Sequence, residues 1–214
     1  GAPPPGSPRR RTGAAGAAPF NAADVAADAG WFAHVDLDLL KATEVGKYVM
    51  SKATAPEAER KLAAFLAVFG FDPRRDVNSL TAYGRTDRPQ QGLILVRGRL
   101  DQARLTTLLQ ANDSYRSSPH GACVIHSWVD DKKKKEGKDE RMYGAFHGET
   151  VVIGSALGDV QTALDVLDAK KPGLAGSPRL AVLGSSPVPP VLAVVLDAAA
   201  KGQVAPKAEI LKLA

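Results

Sequence analysis

Apolar and polar residues alternate with two different periods along the chain, and the changes of period predict its elements. From Trp31 the segment WFAHVDL alternates as a strand does. The residues that follow, up to Lys52, and the stretch from Pro56 to Phe69 repeat apolar residues at the spacing of amphipathic helices. Pro56 is a favoured first helical residue, and Gly70 predicts where the second helix ends.

Strands and helices also follow one another through the rest of the sequence. SLTAYGR and GLILVRGR predict two strands, and Asp101 predicts the N-cap of a helix with the sequence QARLTTLLQ. A polar loop is expected next, before a strand at CVIHSWVD. MYGAFHG and TVVIG predict a hairpin, ALGDVQTALDVLDAK a helix, VLAVVLD a last strand and PKAEILKLA the start of a helix. The pattern is typical of an α+β protein.

Part of the pattern occurs twice. Tyr83-Gly84 recurs as Tyr143-Gly144, and each pair begins a strand–strand–helix unit. We interpret this similarity as an internal repeat; chance likeness between two ordinary units is the alternative. A glycine inside each strand indicates a bulge or a close approach to the backbone.

The order of elements from Trp31 to Val129 is strand, helices, strand, strand, helix, strand, as in a ferredoxin-like split βαβ unit. We therefore predict an antiparallel sheet with helices on one face, extended by the internal repeat. The predicted organisation is a flexible leader at 1–29, a ferredoxin-like unit at 30–129 and a related unit at 130–214 on the same sheet. This second unit could be incomplete.

Composition narrows the range of partners. The net charge of +5 comes from two clusters, Arg9–Arg11 and Lys132–Lys135, and the rest of the chain is nearly neutral. A folded body without a basic face makes nucleic acid an unexpected partner. We expect no transmembrane segment, because no apolar run approaches about 20 residues. Cys123 is the single cysteine and is expected to be a buried, inert thiol.

Histidines and carboxylates supply the few candidates for chemistry. His34 and Asp36 point the same way from one strand, so a metal or acid–base site could begin there. His126 and His147 fall on strands predicted to be neighbours, which could bring two imidazoles together. The structural alternatives are hydrogen-bonded histidines and, for Asp38, a helix N-cap.

No residue is predicted to be catalytic and no cofactor is expected. Ser185 and Ser186 precede a proline without the strand–turn–helix context of a nucleophile, and no glycine-rich phosphate-binding motif is present. Tyr83, Trp128 and Tyr143 would form a recognition surface if they emerge on an uncovered sheet face. They would belong to the core if they face the helices.

Three segments resemble exported bacterial proteins that have no assigned activity. They are WFAHVDLDLLKAT, FGFDPRRDVNSLTAYG and VVIGSALGDVQTALDVLDAKKPGLA. The resemblance rests on packing and turn patterns and spans most of the chain from Trp31 onward. It implies an exported or periplasmic location and transfers no catalytic residue.

The sequence leaves three functional hypotheses. The leading one is a non-catalytic binding or scaffolding module of the bacterial cell envelope that takes a protein or a small ligand. The alternative is a hydrolase or metal-dependent enzyme whose site is assembled only in the fold, from His34, Asp36, His126 and His147. The third is a polyanion binder that uses Arg9–Arg11 and Lys132–Lys135.

Overall fold

An antiparallel sheet of eight strands organises the computed structural model of the chain, which describes residues 20–85, 91–129, 140–175, 177, 180 and 191–196. The strands are β1 (Trp31–Asp36), β2 (Val77–Gly84), β3 (Gly92–Gly98), β4 (Arg116–His120), β5 (Cys123–Val129), β6 (Arg141–His147), β7 (Thr150–Gly154) and β8 (Leu192–Leu196). They lie in the order β4-β5-β6-β7-β3-β2-β1-β8. The predicted α+β class and antiparallel sheet are confirmed.

Within the described residues, helices occupy the connections from β1 to β2, from β3 to β4 and from β7 to β8. In the described ranges a 3-10 helix at Ala22–Asp24 precedes β1. The α-helices are α1 (Leu37–Ala42), α2 (Glu44–Ala53), α3 (Pro56–Phe69), α4 (Pro73–Asp76), α5 (Gln102–Gln110) and α6 (Leu157–Leu167). None of these helices has the length and apolar character needed to span a bilayer.

Short polar side chains set where the helices begin. Asp101 caps α5 by accepting the backbone N–H of Arg104, as predicted. Asp36, rather than Asp38, caps α1; Asp38 lies in the first turn and pairs with Lys41 at 2.9 Å. Thr43 then caps α2, so the single helix expected after β1 is divided in two.

Two finer features of the predicted fold are wrong. β1 pairs directly with β2, whereas a split βαβ unit places another strand between the two that its first helix connects. The helices also lie on both faces of the sheet, because both faces are apolar at their centre and each needs cover.

The face under α6 is named the sealed face. It carries rows of paired residues from adjacent strands, with Phe32, Tyr83 and Leu93 in one row and Leu95 and Val152 in the next. All five are buried, and α6 inserts its own buried side chains between them; these are Val160, Ala163, Leu164 and Val166. The main core of the protein therefore lies between α6 and this face.

The opposite face is named the open face, and it lies under α3 and α5. Its central residues include Val96 on β3 and Val151 and Ile153 on β7. Toward β8 the same face is uncovered, with Leu192 60% and Val194 56% exposed. One side of a single sheet is thus closed and the other is only partly covered.

The segment before β1 belongs to the core from residue 20 onward. Asn21 caps the 3-10 helix by accepting the backbone N–H of Ala23. Val25 is fully buried, and Ala26 and Ala29 also join the core cluster. The flexible leader predicted for 1–29 is therefore wrong for 20–29, where small apolar residues pack tightly. Residues 1–19, the lysine cluster, Ser185, Ser186 and PKAEILKLA lie outside the described residues.

β4 is the element that the hydrophobic pattern missed. Its sequence, RSSPH, was expected to be a loop, yet all five residues pair with β5 at the edge of the sheet. Arg116, Ser117, Ser118 and Pro119 are exposed. An edge strand exposed on both faces has no apolar alternation to reveal it.

The proposed repeat stays a prediction. Tyr83 and Tyr143 lie in one row across the sheet, joined through the pairs Tyr83–Leu93, Leu93–Gly154 and Gly154–Tyr143. The helices that follow the two strand pairs, however, lie on opposite faces: α5 on the open face and α6 on the sealed face.

Candidate functional site

A cleft of about 390 Å³ lies between the open face and the helices that partly cover it. Its helical wall is formed by six apolar side chains from α3, α5 and the turn after α3, namely Phe65, Phe69, Phe71, Leu105, Leu108 and Leu109. Phe65 contacts Phe69 and Phe71, with ring centroids 4.4 Å and 5.2 Å apart. These contacts hold the three rings together in the wall.

The floor of the cleft comes from four strands of the sheet. It consists of Val96, His126, Trp128, Phe146, Val151 and Ile153. Strand alternation brings these residues to the same face, because paired residues of adjacent antiparallel strands point to the same side. The lining is therefore almost entirely aliphatic and aromatic, with the His126 imidazole and the Trp128 indole as its polar groups.

Arg104 on α5 links the two helices of the wall. Its Nε donates to the carbonyl of Val68 at 2.9 Å, and a second guanidinium N–H donates to the carbonyl of Ala67. These carbonyls are at the C-terminus of α3, where a cation is favourable. Gly70 ends α3 with a φ of 78°, and a Cβ there would lie 2.6 Å from Arg104 Cδ. The glycine thus allows the brace to form.

Trp128 depends on a glycine in the neighbouring strand. Its ring lies over Gly144, where an added Cβ would meet two ring carbons at 3.3 Å. Trp31 lies over Gly84 in the same way, with ring atoms 2.9 Å from the position of a Cβ. The close approach predicted for the two Tyr-Gly pairs is confirmed, and the approaching group is a tryptophan ring in both cases.

His126 is the titratable group in the cleft floor. It is 6% exposed, and its Nδ1 is 2.8 Å from the Tyr115 hydroxyl. Its ring contacts Phe146 edge-on at 5.9 Å. Burial lowers the pKa of His126, so the imidazole is neutral at physiological pH.

His34 and Asp36 lie elsewhere, on the sealed face, and both are buried as neighbours on β1. His34 Nδ1 is 2.8 Å from Thr81 Oγ1, and Asp36 Oδ1 accepts the backbone N–H of Leu39. The cavity beside His34 measures about 10 Å³, which is close to the space of one water molecule. Both residues thus form hydrogen bonds with groups of the fold itself.

His147 does not meet His126. The pairing of His126 with Gly144 places His126 on the open face, while His147 lies on the sealed face. His147 Nε2 is 2.8 Å from Asp168 Oδ1 at the end of α6, and Lys170 contacts the same carboxylate. The four residues of the enzyme hypothesis are thus distributed over three places. Among the described residues no group of three potential ligands could hold a metal ion.

The aromatic residues predicted as a recognition surface do not share a face. Tyr83 is 3% exposed on the sealed face, and Tyr143 packs against the same core. Burial raises the pKa of Tyr83, with the carboxylates of Asp28 and Asp159 adding to the effect. Trp128 alone of the three reaches the cleft.

Sequence reasoning missed most of the cleft lining. Phe65 and Phe69 belong to the predicted amphipathic stripe of α3, and such a stripe gives no sign of whether it meets the sheet. Phe71 and the α5 leucines carry no sequence signal that singles them out. The available signal was the run of consecutive apolar residues in β3 and β7, which places apolar side chains on both faces of the sheet. It shows that two layers of helices are needed.

Comparison with protein-family models, with curated proteins and with solved structures found no match.

Proposed function

We propose that the protein is a non-catalytic binding module whose cleft takes a small apolar ligand. The observation that carries the proposal is the cleft itself, about 390 Å³ of space with an aliphatic and aromatic lining. Ligand sites in proteins occupy about 300–1,000 Å³ and combine apolar walls with a few polar groups. The cleft meets both criteria.

A small molecule suits this site better than a protein surface does. The cleft is concave, and its walls come from two helices that Arg104 holds together. A flat partner would contact the outer surfaces of α3 and α5 and leave the interior unfilled. An apolar ligand inside would remove both its own surface and the cleft lining from water, which is worth roughly 25 cal/mol per Å².

The neutral dye N-phenyl-1-naphthylamine tests the proposal, because its fluorescence rises in apolar surroundings. We expect saturable binding with one site per chain. Leu108→Trp places a larger side chain in the cleft and should weaken dye binding about ten-fold or more, since the ligand then competes with a protein side chain for the same space.

Val45→Trp is the matched control, because Val45 is 67% exposed on α2 and does not line the cleft. It should bind the dye as the unmodified protein does. Circular dichroism checks that both variants fold. Equal dye binding by the two variants, or binding that does not saturate, would contradict a ligand site in the cleft.

An envelope location is a further part of the proposal. It is supported by the resemblance to exported bacterial proteins. Fractionation of the native cells, with an antibody against the purified protein, tests it. Detection in the cytoplasmic fraction alone would contradict export.

A further inference from the structure

We infer that the ligand is an acyl compound whose carbonyl oxygen accepts a hydrogen bond from His126 Nε2. This inference rests on the proposed function, because it names the chemical class that the cleft selects. It starts from the one imidazole that the fold places in an otherwise apolar floor.

The contacts of His126 leave one ring nitrogen for a ligand. Nδ1 is engaged by the Tyr115 hydroxyl at 2.8 Å, and nothing in the described part of the chain bonds to Nε2. The fully enclosed side-chain atoms without a hydrogen bond there are His34 Nε2, Asp36 Oδ2 and Tyr83 Oη. His126 Nε2 is not one of them, so it has access to the space that the residue lines.

Tyr115 decides which hydrogen-bonding role Nε2 plays. A phenol O–H is a stronger acid than the N–H of a neutral imidazole, so the Tyr115 hydroxyl donates to Nδ1. The proton of the neutral ring is then on Nε2, which makes this nitrogen a donor toward the cleft. The contacts with Tyr115 and Phe146 hold the ring plane.

A buried donor in an apolar site selects for an acceptor. A purely hydrocarbon ligand would displace water from Nε2 without replacing the hydrogen bond, and that loss lowers its affinity. A ligand with an apolar chain and one carbonyl oxygen fills the cleft and also satisfies the donor. Acyl esters combine these two features.

Displacement of N-phenyl-1-naphthylamine by methyl decanoate and by decane tests the inference. These two probes share an alkyl chain, and only the ester carries a carbonyl. In His126→Phe the ring is kept and the donor is lost, so we expect affinity for the ester to fall about five- to ten-fold while affinity for decane is unchanged. His126→Gln restores a side-chain N–H and should recover much of the preference for the ester.

Tyr115→Phe separates the orienting role from the binding role. It leaves His126 in place but frees Nδ1, so the preference for the ester should fall about two-fold. Nitrogen NMR should show the ring proton on Nε2 in the unmodified protein and on both nitrogens, in exchange, in Tyr115→Phe.

The remaining outcomes separate the two proposals. If His126→Phe changes both affinities equally, or neither, His126 does not recognise a carbonyl and the inference is overturned. Dye binding by the unmodified protein would still support the cleft. If the unmodified protein binds neither the dye nor either probe, the proposed function fails together with the inference.

Discussion

The two faces of the sheet are built from the same strands, yet they are covered in different ways. On the sealed face α6 lies directly on β6 and β7, and Gly154 lets it approach, since a Cβ there would meet Leu93 and Val160. On the open face α3 and α5 contact each other through Arg104 and leave about 390 Å³ between themselves and the strands. The faces therefore differ in what holds the covering helices: α6 packs against the strands, whereas α3 and α5 are linked to each other above a cleft.

This comparison shows how one sheet can serve stability and binding separately. The central side chains of the sealed face are almost fully buried, so little can change there without loss of stability. Side chains on the open face line a space that is already accessible. Their substitution should change binding more than folding.

The largest expected effect on stability comes from truncating a leucine on the sealed face, and the matching truncation on the open face serves as its comparison. Leu164→Ala on the sealed face, where Leu164 is 1% exposed, should lower the free energy of unfolding by about 3 kcal/mol, because the space left behind cannot collapse. Leu108→Ala in the cleft should cost about 1 kcal/mol or less, since it only widens an existing space. Urea denaturation with constant m-values measures both. Equal losses would remove the distinction between the faces.

The next effect concerns the tryptophans that lie over glycines. Gly84→Ala should lower stability by about 1–2 kcal/mol, because a Cβ would lie 2.9 Å from the Trp31 ring. Gly144→Ala should cost less, because the 3.3 Å contact with Trp128 can be relieved by a small shift of the ring toward the cleft. Thermal unfolding ranks the two variants, and tryptophan emission reports the ring shift. Both contacts lie on the open face, and the reverse ranking would show that the ring of Trp128 is held more tightly over its glycine than the ring of Trp31.

A smaller loss of stability should appear on acidification, and we attribute it to the buried histidines. Burial lowers the pKa of His34, the Arg97 guanidinium acts in the same direction and the Asp36 carboxylate opposes them. The unfolded state, with a pKa near 6.5, takes up the proton first. The contribution of His34 to the free energy of unfolding is therefore fully present above pH 6.5 and is lost as the pH drops below that value.

His34→Gln removes this titration and should make the dependence of stability on pH shallower. Thermal unfolding between about pH 8 and about pH 5.5 measures it, above the range in which most carboxylates titrate. His126→Gln tests the histidine of the open face in the same way. An unchanged slope in His34→Gln would show that His34 does not contribute.

The smallest expected effect on stability is that of Arg104→Ala. Arg104 is exposed, and its loss removes the hydrogen bonds to Val68 and Ala67 at a cost of about 1 kcal/mol or less. The relative loss of dye affinity should exceed the relative loss of stability, because α3 and α5 lose the link that holds the cleft wall together. Arg60→Ala is the control, since Arg60 is exposed on α3 and does not line the cleft. Unchanged dye affinity in Arg104→Ala would show that the brace does not shape the site.

Local sequence patterns predicted those strands in which apolar residues alternate and those helices whose ends carry a capping residue. Asp101 and Gly70 each occupy the predicted helix terminus. β4 was missed because it is polar on both faces, and Thr43 was missed as a second cap. Of the cleft, only His126 and Trp128 were named as candidates. The rest of its lining looked like ordinary core.

The sequence by itself determined most of the elements, several of their ends and the apolar residues that give the sheet two apolar faces, because these depend on residues close together along the chain. The tertiary structure alone decided the strand order, the face that each helix covers and the gap beneath α3 and α5. Those features depend on contacts between distant segments, such as Arg104 with the end of α3 and Trp128 with Gly144. No local pattern specifies how closely two such segments approach.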